Sequence, residues 1–88
     1  MKRLYNYEDR LVRFAGEVMF FIESIPNSSS EQYYSVQLTR SSGSSALNYG
    51  EAQGTVTKRD FIYKMSLVLK ELKESRCSLK ILDYTKLE

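Results

Sequence analysis

The sequence predicts an all-α protein, an antiparallel up-down helical bundle with three helices in this chain. Three observations predict it. Apolar residues recur at alternating steps of three and four in two long runs. Serine or threonine stands where a helix cap is needed before two of the three segments. No stretch alternates apolar and polar residues as a half-buried strand does.

The first run is Leu4, Tyr7, Leu11, Phe14, Val18, Phe21 and Ile25. Ala15 and Ile22 widen this stripe, and Arg3, Arg10, Arg13 and Glu17 lie off it. A first helix is expected over residues 4–25. Pro26, in "SIPNSSSEQ", marks the turn that follows. Ser28, with Glu31 three residues on, has the capping-box arrangement and opens a second helix.

The stretch "SSGSSALNYGEAQG", residues 41–54, is made of loop-like residues between two helical runs. Tyr34, Leu38, Ser41, Ser45, Asn48 and Ala52 nevertheless keep the helical step across it. Gly43 should cost about 1 kcal/mol against alanine in a helix interior. A continuous helix bears that if small side chains let a neighbour approach closely, and Gly54 then acts as its glycine stop. Composition alone leaves helix and loop evenly balanced.

Thr57, followed by Asp60, caps the third helix. Phe61, Met65, Val68, Leu72, Leu79 and Leu82 form its stripe, with Ser75 as the polar member and Ile62 and Leu69 beside it. The expected helices are 4–25, 29–53 and 57–84, in a single domain over 1–88.

A chain of 88 residues buries a modest core and commonly needs a disulfide, a metal or oligomerisation. Cys77 is the only cysteine, so no disulfide can form within the chain. There is no histidine, which argues against a metal site. Oligomerisation remains. With 13 basic and 11 acidic residues the net charge is +2, which permits nucleic-acid binding without arguing for it. No run approaches the roughly 20 apolar residues of a membrane span. "MKRLYNYEDR" has no apolar segment behind its basic residues, so no signal peptide is expected. With a lone free thiol, this makes the cytoplasm the expected compartment.

A phosphate-binding loop is not expected. Gly43, Gly50 and Gly54 precede no Gly-Lys-Ser/Thr and follow no strand. Catalysis is not expected either, since the usual general base, histidine, is missing. A Ser44–Lys64 pair has nothing to support it. Glu17, Glu51, Glu71 and Glu74 invite the alternative of a ligand-binding or enzymatic bundle, but the Glu-x-x-His of di-iron bundles is absent. Asn48 and Glu51, one turn apart, read rather as a polar contact that fixes register.

The candidate nucleic-acid contacts, RNA or DNA, are Arg10, Arg13, Lys58, Arg59, Lys70, Lys73 and Lys80. Glu71 and Glu74 are interleaved with the last three, so that face reads as mixed and braced by pairs such as Lys70–Glu74. Tyr63, Leu67, Cys77, Ile81 and Tyr84 lie off the main stripe of the third helix. A helix apolar on two sides must be covered on two sides. These five residues are therefore the expected interface of a homo-oligomer, by default a dimer.

Arg40, Ser44, Asn48 and Glu51 before Gly54, then "DFIYKMSLVLKELKES" with Leu79 and Leu82, resemble the "four helix bundle protein" family, also called the 23S rRNA intervening-sequence protein family. The resemblance covers about residues 4–84 and is most specific from Leu38 to Glu71. It implies a continuous second helix, structural polar contacts at Arg40, Ser44, Asn48 and Glu51, and assembly that in some members is a pentameric ring. A related fold, the accessory protein of diversity-generating retroelements, has a basic surface for nucleic acid and a reverse transcriptase. Two departures stand out. Asn48 is followed by Tyr49 and Ser45 is not aliphatic. The chain also ends at Glu88, where the family turns into a fourth helix, so the expectation is either a truncated form or a third helix covered by another chain.

Overall fold

The computed structural model describes residues 6–86. It contains three helices, α1 (Tyr7–Ile22), α2 (Ser29–Gln53) and α3 (Lys58–Lys86), and no strand among the described residues. Each helix starts at a side-chain cap that takes up one of the amides left without a partner at a helix N-terminus. Asn6 accepts from the Asp9 amide at 3.1 Å, Ser28 from that of Glu31 at 3.4 Å, and Thr57 from that of Asp60 at 3.1 Å. The Ser28 hydroxyl also donates to the Glu31 carboxylate at 2.5 Å, completing a variant of the capping box.

The first helix is shorter than the 4–25 expected. Leu4 lies outside the described residues, and the Asn6 cap opens α1 at Tyr7. At the other end, the amides of Glu23, Ser24 and Ile25 bond three residues back, a tightening of the last turn. Pro26 disfavours the α conformation at Ile25, so the helix cannot continue. The α2 range is 29–53, the range read from its caps. Gly54 occupies the C-cap with φ −96°, so its position is that of a stop but the left-handed conformation is not used. The third helix begins at Lys58 and runs two residues past the expected 84.

The three helices run up, down and up. Tyr7, at the start of α1, stacks edge-on against Tyr49 near the end of α2, with ring centroids 6.2 Å apart. Along the other side of α2, Arg40 meets Glu74 while Glu51 meets Lys64, so α3 is antiparallel to α2. Backbones of α1 and α2 pack together, as do those of α2 and α3, but those of α1 and α3 do not. The result is a bent layer, 47 × 28 × 16 Å, with α2 in the middle. Val18 of α1, Leu38 of α2 and Leu82 of α3 form a buried apolar cluster to which all three helices contribute, surrounded by Phe14, Phe21, Ile22, Ile25, Tyr34 and Leu79.

Apart from Ala52, Val68 and Glu71, the rest of the buried interior is serine. Ser35, Ser41, Ser42 and Ser45 of α2 and Ser75 and Ser78 of α3 are all buried. Several of their hydroxyls bond to carbonyls of their own helix. Ser45 donates to the Ser42 carbonyl at 2.7 Å and Ser42 to that of Thr39 at 3.3 Å. Ser41 and Ser75 share a hydrogen bond at 2.7 Å across the α2–α3 seam. Ser35 Oγ is the exception, buried without a hydrogen-bond partner. Gly43 differs from expectation. A Cβ there would meet nothing within 4 Å, so its bareness serves no close approach within this chain.

Three substitutions test this packing by urea denaturation. Ser45→Leu should lose about 1–3 kcal/mol, because the side chain beside Ser45 has nowhere to move. Ser35→Ala removes a hydroxyl that lacks a partner and should gain on the order of 1 kcal/mol. Gly43→Ala should gain about 1 kcal/mol through helix propensity alone. A Ser45→Leu protein as stable as the parent contradicts the seam.

Candidate functional site

Helical spacing sorts the side chains of α3 onto two faces. The series Lys64, Val68, Glu71, Ser75, Ser78 and Leu82 steps by three and four, and its members are buried or half-buried. This is the face against α2. The opposite series is Arg59, Ile62, Ser66, Leu69, Lys73, Arg76, Lys80 and Tyr84, and all of it is exposed. Lys58 and Lys70 are also exposed and lie on the edges of this outer face.

The mixed face expected for α3 is not what the structure contains. Glu71 and Glu74 turn toward α2, where both take hydrogen bonds from Arg40. Arg40 Nη1 lies 3.1 Å from Glu71, whose side chain is 11% exposed, while the Glu74 side chain is 40% exposed. The Arg40 guanidinium is raised above its ordinary pKa, chiefly by the hydrogen bond with Glu74 and also by the charge of Glu71, against opposing desolvation. The expected Lys70–Glu74 brace is therefore absent, because Glu74 is committed to Arg40 across the seam. Among the described residues, Lys58, Arg59, Lys70, Lys73, Arg76 and Lys80 take part in no ion pair. Asp83 stands exposed at the margin of the outer face, which otherwise holds no carboxylate.

The four motif residues on α2 lie along its α3 flank. Glu51 accepts from Lys64 Nζ at 2.6 Å, and this hydrogen bond raises the lysine pKa above its ordinary value. Asn48 donates to the Ser44 carbonyl at 2.9 Å, a contact within α2 rather than across the seam. Arg40 and Glu51 thus clamp α3 at two places about 16 Å apart along α2, given the helical rise of 1.5 Å per residue. Glu17 pairs with Arg13 on α1 at 3.3 Å. The four glutamates do not converge, since only Glu71 and Glu74 share a partner and that partner is a cation. Among the described residues, no group of three His, Cys, Asp or Glu side chains is placed to hold a metal ion. No described helix is long and apolar enough to cross a membrane.

The expected interface residues are spread over the outer half of α3. Tyr63, Cys77, Ile81 and Tyr84 are exposed, and Leu67 is half-buried. Arg10 and Arg13 sit apart from the α3 cations, on α1. Arg10 lies 5.9 Å from the Tyr7 ring, at the open end of a cleft of about 460 Å³ between α1 and α3. Leu11, Phe14, Met65, Val68 and Leu72 line this cleft, with Tyr49 of α2 at its base. The cleft follows from the bent layer, and no sequence signal marks it because its walls come from three separate stripes.

No family model, curated protein or solved structure matches this chain.

The Arg40 bridge has an asymmetry that can be measured. Arg40→Met leaves the buried Glu71 carboxylate without its cation and should cost about 1–3 kcal/mol. Glu74→Gln alters a half-exposed acceptor and should stay within about 1 kcal/mol. Equal losses in chemical denaturation would mean that Glu71 is not the constrained partner.

Proposed function

We propose that this chain is a non-catalytic helical-bundle scaffold that self-associates and holds nucleic acid, RNA or DNA, against the outward face of α3. The observation that carries this reading is the sorting of charge on α3. Arg59, Lys70, Lys73, Arg76 and Lys80 face outward, while both mid-helix carboxylates are drawn inward to Arg40. A row of cations attracts phosphates without regard to sequence, and releasing the phosphate counterions makes such binding weaken steeply with salt.

Self-association is supported by apolar surface that the three helices leave open. Tyr63, Ile81 and Tyr84 remain exposed on α3, as do Ile62 and Leu69. Covering such surface contributes about 25 cal/mol per Å², and a second copy of the chain is always at hand. The resemblance to the four helix bundle family, some members of which form pentameric rings, points the same way as an analogy of fold. The rival reading, a small ligand-binding or enzymatic bundle, has less behind it because Glu51 is engaged by Lys64 and not by another carboxylate.

Fluorescence anisotropy with a single-stranded RNA and a duplex DNA tests the reading. Binding is expected at about 50 mM salt and should fall by several orders of magnitude toward about 200 mM. The triple variant K70E/R76E/K80E should bind at least about tenfold more weakly, with its helical content unchanged. A parent protein that binds neither probe at low salt, or a triple variant that binds as the parent does, overturns the nucleic-acid part.

A further inference from the structure

The outer helices carry complementary faces. On α1, a solvent-exposed flank beside Phe20 reads Glu8, Val12, Gly16, Met19 and Glu23, at steps of three and four. All but Gly16 are exposed, and Val12 and Met19 are more than half exposed. On α3 the outward face reads Arg59, Ile62, Ser66, Leu69 and Lys73, all exposed. Each face has charge at both ends, an apolar residue inside each charge and a small residue at the centre. One is acidic and the other basic. In both, the charged ends are separated by about 21–23 Å at the helical rise.

We infer that the α1 face of one copy packs on residues 59–73 of the outward α3 face of the next, in a head-to-tail contact that leaves Lys70, Arg76 and Lys80 open to nucleic acid. The inference rests on the self-association proposed above and names its two surfaces. In an antiparallel crossing, Glu8 meets Lys73, Val12 meets Leu69, Met19 meets Ile62 and Glu23 meets Arg59, with Gly16 opposite Ser66. The pattern is symmetric about its small residue, so a parallel crossing pairs the same classes.

Two features of α1 lack a reason within the chain and gain one here. Glu23 is the C-cap of α1, at the negative end of the helix dipole, and no basic residue lies in the last turn. A carboxylate there is disfavoured by its own helix and takes part in no ion pair among the described residues. Gly16 lies mid-helix where a Cβ would meet nothing within 4 Å. An opposing helix at that point supplies the cation for Glu23 and the close approach for Gly16. Each copy has one acidic and one basic face, so the contact is heterologous, and it builds either a closed ring or an open chain of copies.

Light scattering on the parent and two charge-reversed proteins, E8K/E23K and R59E/K73E, tests this. The parent should exceed monomer mass at micromolar concentration and lose mass as salt rises. Each reversed protein alone should run as a folded monomer by circular dichroism and light scattering. Mixing the two in equal amounts should restore association, since each then meets a face of opposite charge. A parent that is monomeric at every concentration overturns the inference together with the self-association reading. An associated parent whose mass E8K/E23K leaves unchanged overturns this contact alone. Failure of the mixture to reassociate, with both variants folded, also overturns it. RNA binding by the parent is read separately and decides only the nucleic-acid reading.

Discussion

The inward surface of α2 is the constraint on which the rest of this structure depends. The backbones of α1 and α3 each pack against α2 and not against each other. Backbone packing between helices among the described residues therefore always involves α2, whose buried side chains are four serines, one leucine and one alanine. Small side chains make room for a neighbour, and serine hydroxyls can be returned to carbonyls of their own helix at little cost in order. The chain uses both properties. Ser45 and Ser42 bond within α2, and the Ser41–Ser75 bond ties the seam at its centre. What such a seam lacks is apolar area, and the cluster of Val18, Leu38 and Leu82 supplies a limited amount at one end.

Because the seam is polar and narrow, orientation falls to the charged side chains on its flank. Arg40 with Glu71 and Glu74, and Glu51 with Lys64, are the cross-helix ion pairs among the described residues. They set α3 antiparallel and also fix its rotation. That rotation has a consequence far from the seam. Drawing Glu71 and Glu74 inward removes the carboxylates that would otherwise neutralise Lys70 and Lys73. A structural clamp on one side of α3 thus makes the other side cationic.

Much of this fold is legible in the sequence where a local rule decides. The α2 boundaries follow from Ser28 and Gly54, and the start of α3 from Thr57. Asn6 obeys the same capping rule, with Asp9 three residues on, but Leu4 extends the apolar stripe past it and hides it. The helical state of 41–53 is not legible from composition, because serine and glycine favour helix only when packing overrides their propensity. The rotation of α3 is legible only in part. The stripe read from the sequence includes Val68, Ser75 and Leu82, which are buried, but it also takes in Met65 and Leu72, which line the cleft toward α1, and it passes over Glu71 and Ser78, polar residues of the buried face. The six α3 cations are readable one by one. Their separation from the glutamates is not, since it depends on Arg40, more than thirty residues away in the chain.

Amide hydrogen exchange along α2 tests the central role of this helix most directly. If the backbones of both neighbours pack on α2, its amides from Leu38 to Ala52 open only when the whole structure opens. They should then exchange more slowly than those of any other segment, including the middle of α1. Exchange in 41–52 as fast as in the turn at 23–28 contradicts the account, because the serine-rich stretch would then not be the helix on which the other two are hung.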